Sequence, residues 1–259
     1  MLIDSHTHLD HSREDPVELV ADAREAGVGL IIQCGTDLPR SRRSVELAEQ
    51  FAEVFATVGY HPHEAARLDD AGLDEIAKWT THERVVAVGE TGFDYYHDHC
   101  PHGVQGEVFI RHLRLAREAD LPVVVHTRDA AEDTLAALSE HAEGLTVILH
   151  CFSLPELLDE VVERGYYVSF AGNVTYKNAR ELQAAAQALP EGLLLLETDA
   201  PWLAPMPMRG RPNRPGLVAK TYEFVAGLRG VTVDELAAQI EANAGQAFPR
   251  LATFLERRA

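Results

Sequence analysis

In Pro122-Val123-Val124-Val125-His126-Thr127-Arg128-Asp129-Ala130 a proline leads into three consecutive valines, which end on a histidine before an amphipathic stretch begins. An unbroken β-branched run, without alternation, describes a strand buried on both faces, as in a parallel sheet covered by helices. The same order recurs along the chain. Short β-rich runs lie at residues 2–5, 28–33, 55–58, 85–88, 123–125, 147–149, 167–170 and 193–196. Amphipathic segments, for example 16–26, 73–80, 104–119, 130–141 and 155–163, separate them. Asp15-Pro16 and Leu154-Pro155 put proline where a first helical turn tolerates it, and Gly27 and Gly165 stand where helices stop.

Strand–helix alternation implies parallel βαβ units. Eight units without a Gly-, Ser- or Pro-rich linker predict an α/β fold, a single (β/α)₈ TIM barrel over residues 1–259 with outer helices. The length agrees with the ~250 residues typical of such barrels. The proline- and arginine-rich segment 201–215 follows the last strand and reads as a long loop over the barrel mouth. With 46% hydrophobic and 25% charged residues, the composition is that of a soluble globular protein. No secretory signal and no membrane-length apolar run is visible, so the expected location is the cytoplasm, without membrane partners. Cys34, Cys100 and Cys151 form no CxxC pair, which argues against a disulfide framework or a cysteine-based zinc site. The net charge of −18 opposes any global grip on duplex nucleic acid, which needs many lysines and arginines.

The chemistry sits where the runs end. His6 and His8 close the first, Glu90 the fourth, His126 the fifth, His150 the sixth and Asp199 the eighth. In extended chain, residues i and i+2 face the same way, so His6 and His8 aim at one point. In a closed barrel all these ends share the rim that carries catalysis. Apolar strands have no structural use for ending repeatedly in His, Glu or Asp, because such groups are costly to bury without partners. Metal coordination satisfies them together, and four imidazoles with two carboxylates suit zinc, manganese or similar divalent ions. The number of ligands predicts two ions about 3.5–4 Å apart. Glu90 is expected to bridge them, with His6, His8 and Asp199 on one ion and His126 and His150 on the other. Asp94 and Glu197 are expected to orient ligands. His97, His99 and His102 with Cys100 look like a further metal cluster, but a loop location without an orienting partner favours ordinary polar residues.

Several stretches together resemble the TatD family of metal-dependent DNases, within the amidohydrolase-like barrels. They are Ile3-Asp4-Ser5-His6-Thr7-His8, Gly59-Tyr60-His61-Pro62-His63, Val88-Gly89-Glu90-Thr91-Gly92 with Asp94, 122–130, His150-Cys151-Phe152 and Leu196-Glu197-Thr198-Asp199-Ala200-Pro201. Arg209-Gly210-Arg211-Pro212-Asn213 and Asn243-Ala244 also fit. The resemblance implies two divalent ions (Zn, Mn or Mg) and 3′-to-5′ exonuclease hydrolysis of phosphodiesters at DNA or RNA ends. It also implies a role for His61 beside the scissile group. Ser153-Leu154 stands where Ser-Gly is usual, residues 97–102 replace the usual linker, and Trp202 replaces a tyrosine. These departures touch no ligand and bear on substrate fit.

A metal pair makes a bound water acidic enough to supply hydroxide. The expected catalytic residues are Asp199 as general base, Glu90 as bridge and His61 as donor to the phosphate or the leaving oxygen. Arg128, Arg209 and Arg211, with His61, are the expected substrate contacts. Trp202 at the rim could stack a base or simply pack. The two ions outweigh the two carboxylates, so the site is locally positive inside an acidic shell. That combination favours a single-stranded end over a wrapped duplex. Nothing in the sequence demands more than a monomer. Two other functions use the same letters: an amidohydrolase-type deacylase, such as one acting on D-aminoacyl-tRNA, and a catalytically inactive barrel that only binds. The second usually costs ligands, and none is missing.

Overall fold

The computed structural model describes residues 1–97 and 99–256. Eight strands, β1 Leu2–Thr7, β2 Val28–Cys34, β3 Val54–Val58, β4 Val85–Asp94, β5 Val123–Arg128, β6 Val147–Leu149, β7 Tyr167–Phe170 and β8 Leu194–Leu196, lie in chain order, each parallel to the next. The Asp199 N–H donates to the His6 carbonyl at 3.0 Å and the His8 N–H to the Ala200 carbonyl at 2.8 Å, joining the chain just past β8 to the end of β1. Thr198 tightens the same seam, its N–H and hydroxyl donating to the Asp4 carboxylate at 2.8 and 2.6 Å. The result is a nearly closed (β/α)₈ barrel with its helices outside.

The helices are α1 Pro16–Glu25, α2 Leu38–Gln50, α3 Asp70–Trp79, α4 His102–Glu118, α5 Ala131–His141, α6 Leu158–Glu163, α7 Arg180–Ala188, α8 Val218–Arg229, α9 Val233–Ala247 and α10 Ala252–Glu256. The Asp15 carboxylate caps α1 by accepting from the Val17 N–H at 2.9 Å, with Pro16 in the first turn. The segment expected to be one helix from Pro155 opens as a 3₁₀ turn, Pro155–Leu157, before α6 begins. None of the described helices is long and apolar enough to cross a membrane.

The core fills from the strands. Ile3, Leu30, Ile32, Val58, Val86, Val88, Val123, Val125, Leu149, Val168 and Leu195 are completely buried. β4 continues six residues past the expected end at Val88, because Thr91, Gly92, Phe93 and Asp94 pair with Val125, His126, Thr127 and Arg128 of β5. Glycine and glutamate are poor strand formers, and here the ladder overrides that preference. The extension carries Glu90 and Asp94 onto the barrel rim.

Candidate metal centre

The six residues read from the strand ends converge on one point, with Glu90 in the middle. Glu90 is buried, and its two oxygens face different groups. Oε2 lies 3.2 Å from His6 Nε2 and 3.5 Å from His8 Nε2. Oε1 lies 2.8 Å from His150 Nε2 and 3.0 Å from His126 Nδ1. Asp199 joins the first group, its Oδ1 3.5 Å from His8 Nε2. His6, His8 and Asp199 form one cluster of potential ligand atoms, and His6, Glu90 and His150 another.

The outer nitrogens of these rings decide what the inner ones offer. His8 Nδ1 faces the Cys34 carbonyl at 3.2 Å, so Nδ1 carries the hydrogen and Nε2 presents a lone pair. His126 Nε2 faces the Asp94 carboxylate at 3.2 Å, leaving Nδ1 as its inner lone pair. His150 Nδ1 lies 3.4 Å from Glu197 Oε1, and Glu197 is itself held by the Cys151 N–H at 2.9 Å. Lone pairs therefore point at a carboxylate and, where His126 Nδ1 and His150 Nε2 stand 3.2 Å apart, at one another; His6 Nε2 and His8 Nε2 lie 3.1 Å apart. Such a set repels itself unless positive charge lies within it, and the donors fit divalent cations.

The titration behaviour carries the same demand. Burial disfavours charge on His8, but hydrogen bonds to Asp199 and Glu90 outweigh it and push its pKa up to about 10. Burial would raise the Glu90 pKa, yet His150, His61, His6 and the bond from His126 hold it well below the usual carboxylate range. The same contest keeps Asp199 low, with His8 the main opponent of burial. A proton and a metal ion are competing ways to supply the missing charge, so metal binding here displaces protons.

Around this centre lies a cavity of about 750 Å³, lined among others by His61, His63, Arg128, Cys151 and Trp202. That volume is in the range of small-ligand sites. His61 Nδ1 accepts from the His63 N–H at 3.1 Å, so its hydrogen is on Nε2, 3.5 Å from Glu90 Oε1. It is a donor aimed at the centre, and burial keeps its pKa well below the ordinary value, against the pull of Glu90. Arg128 stacks on the exposed Tyr96 ring at 3.9 Å. Arg209 and Arg211 are exposed on the loop after β8 and do not line the cavity; Arg209 stacks on Tyr176 at 4.3 Å. Asn213 holds that loop over the mouth, its Nδ2 donating to the carbonyls of Thr198 at 2.8 Å and Trp202 at 2.7 Å. Trp202 is half exposed and edges against His8 and His11. Burial pushes the thiols of Cys34 and Cys151 far up, so neither is an available nucleophile.

One group set aside in the sequence has a partner after all. His97 Nδ1 lies 3.2 Å from Asp94 Oδ2, and His63 Nε2 lies 2.9 Å from the same atom. His102 instead stacks on Tyr95, and Cys100 is buried. The missed signal is Asp94 itself, which is three residues before His97 but also meets His63 from a different loop.

Comparison with known proteins accords with this geometry. The family model for TatD-related DNases matches residues 3–249. The YabD protein of Bacillus subtilis, an uncharacterized metal-dependent hydrolase, is 37% identical over 96% of this chain and 99% of its own. The 3′-5′ ssDNA/RNA exonuclease TatD of Cronobacter sakazakii is 34% identical, covering 93% of this chain and 94% of its own. The crystal structure of YjjV, a TatD homologue from Escherichia coli, superposes with a TM-score of 0.89 at 31% identity, covering 96% of this chain and 98% of that one. The chain belongs to the TatD family of metal-dependent hydrolases.

Proposed function

We propose that the protein is a 3′-5′ exonuclease that hydrolyses phosphodiesters at single-stranded DNA or RNA ends with two divalent ions bridged by Glu90. The observation that carries this reading is the division of Glu90: one oxygen toward His6 and His8, the other toward His126 and His150. A single ion would leave one imidazole group facing a carboxylate without a cation. The substrate reading is supported by the 34% identity to a relative named as an ssDNA/RNA exonuclease, together with a donor and an arginine at the mouth.

His6, His8, Glu90 and Asp199 would hold one ion, and Glu90, His126 and His150 the other. Bound there, the pair makes a water acidic near neutral pH and offsets charge on the phosphate. Asp199, kept ionised by His8, accepts the proton of the attacking water. His61 Nε2–H donates to a phosphate oxygen, which gains most as charge builds in the transition state. The hydrogen on Nε2 of a neutral ring favours this donor role over proton transfer to the leaving oxygen. Asp94 and Glu197 hold His126 and His150 in the tautomers that face inward. Arg128 contacts the strand behind the scissile group.

The test is parallel turnover of an end-labelled oligonucleotide and a D-aminoacyl-tRNA in Mg²⁺, Mn²⁺ and Zn²⁺, with Glu90→Ala as blank. Mononucleotide release from the 3′ end that Glu90→Ala abolishes is expected. Deacylation without nucleotide release would overturn the reading, as would retention of two ions per chain in Glu90→Ala.

A further inference from the structure

Five contacts converge on the Asp94 carboxylate. The N–H groups of Tyr96 and His97 donate to Oδ1 at 3.0 and 2.9 Å. Oδ2 faces His63 Nε2 at 2.9 Å, His97 Nδ1 at 3.2 Å and His126 Nε2 at 3.2 Å. A carboxylate offers about four lone-pair positions, so five contacts crowd it, three of them from imidazoles on Oδ2. His63 and His97 each have a tautomer that turns a lone pair toward this oxygen, and a cation held between them would satisfy all three groups. Asp94 is almost completely buried but borders the cavity, so a cation can reach its carboxylate from that side.

We propose that His63 Nε2, Asp94 Oδ2 and His97 Nδ1 form an additional site for a zinc-like divalent cation, at the cavity mouth beside the proposed pair. These three atoms form a cluster of ligand geometry separate from those around Glu90. With bonds of ~2.0–2.1 Å, neighbouring ligands of a tetrahedral ion lie about 3.3 Å apart, close to the spacings from Asp94. Two imidazoles and one carboxylate select zinc-like ions over Mg²⁺, which takes mainly oxygen ligands. The fourth position faces the cavity, which His63 and His97 line and Arg128 also borders. His99 stands alongside, its ring centroid 4.7 Å from that of His63. A cation here would bring positive charge to the strand behind the scissile phosphate and, through Asp94, would be felt at His126.

The arrangement depends on a chain feature outside the quoted family motifs. His97 and His99 belong to the segment 97–102 that stands in place of the usual linker after Asp94. The chain turns between Asp94 and His97, so that the His97 backbone and ring both reach the same carboxylate.

The test is the zinc content of the full-length protein after equilibration with excess Zn²⁺ and gel filtration, for wild type, His97→Gln and His63→Asn. Wild type is expected to carry one more equivalent than either variant. Equal content in wild type and both variants would overturn the site. Cobalt substitution gives a second reading: the visible spectrum of wild type minus His97→Gln should show a four-coordinate cobalt band, and a featureless difference would overturn the proposal. Both measurements are differences at His97 and His63, so they stand even if Glu90→Ala shows that the pair itself is misassigned.

Discussion

At the scale of single residues, the tautomers set the chemistry. His61 keeps its hydrogen on Nε2 because Nδ1 is committed to the His63 N–H. Asparagine at this position retains an acceptor for an amide two residues on, as in an Asx-turn, but lacks the inward donor. His61→Asn should therefore keep its metal content while kcat falls roughly 100-fold, the scale of removing one transition-state donor. The loss should be uniform across pH. A shifted alkaline limb in the pH–rate profile would instead make His61 the acid. His112 shows the structural counterpart. It is fully buried on α4, accepts from the Tyr60 N–H at 3.1 Å through Nε2, and donates from Nδ1 to the Val108 carbonyl at 2.8 Å. Burial pushes its pKa down from 6.5 to about 4, against the Val108 bond. Between those values the unfolded chain binds a proton that the folded chain refuses, so stability is lost as pH falls through that window. The slope is about 1.4 kcal/mol per pH unit. Chelator-treated wild type should lose this much relative to His112→Gln in denaturant titrations; parallel curves for the two would remove His112 as the cause. The ligand letters were legible because a histidine or carboxylate after an apolar run is conspicuous. The place of His112 was not, since it depends on the Tyr60 N–H of a distant loop, and that of His97 was not, since the carboxylate three residues before it is shared with His63 from another loop.

At the scale of elements, β4 does most to position the centre, and its glycines explain how. Gly92 has φ +139°, and a Cβ there would sit 2.0 Å from the His126 carbonyl oxygen. Gly89, with φ +138°, would meet the Val124 carbonyl oxygen at 2.5 Å. β4 and β5 thus approach more closely around Glu90 and His126 than side chains permit. Gly92→Ala should cost about 2–5 kcal/mol from strain and overpacking combined, and lower metal content by displacing His126. Gly103→Ala in the first turn of α4 is the contrast: a Cβ there meets nothing within 4 Å, so helix propensity should leave the protein equally stable or up to about 1 kcal/mol more so. Thermal melts of the two variants check the pair, and an unchanged melt for Gly92→Ala would refute the close approach. Strand number and order were readable from the apolar runs. The length of β4 was not, because Gly89, Glu90, Gly92 and Asp94 interrupt the apolar run, and the ladder of Thr91 to Asp94 with β5 carries the strand on past them.

At the scale of the whole molecule, a net charge of −18 and the proposed nucleic-acid substrate have to be reconciled. The arginines near the mouth differ in availability. Arg40 pairs with Asp10 at 3.0 Å, and Arg214 pairs with Glu14 and lies 3.7 Å from Asp22. Arg128, Arg209 and Arg211 pair with no carboxylate among the described residues, and the first two lie over aromatic rings that leave their charge facing outward. Three such arginines neutralising three phosphates of a single strand give a log–log salt slope of about −2. Proteins that grip a duplex through six to ten phosphates show slopes several times steeper. Binding of a phosphorothioate-protected single strand should therefore weaken only moderately between 50 and 200 mM salt, by roughly 10- to 20-fold at that slope. Arg128→Ala should flatten the slope by about 0.7, because that arginine lines the cavity, whereas Arg209→Ala and Arg211→Ala test whether the loop after β8 reaches the strand at all. A slope steeper than about −5 would require more phosphate contacts than these three arginines supply, and would mean that the strand is held elsewhere than at the rim.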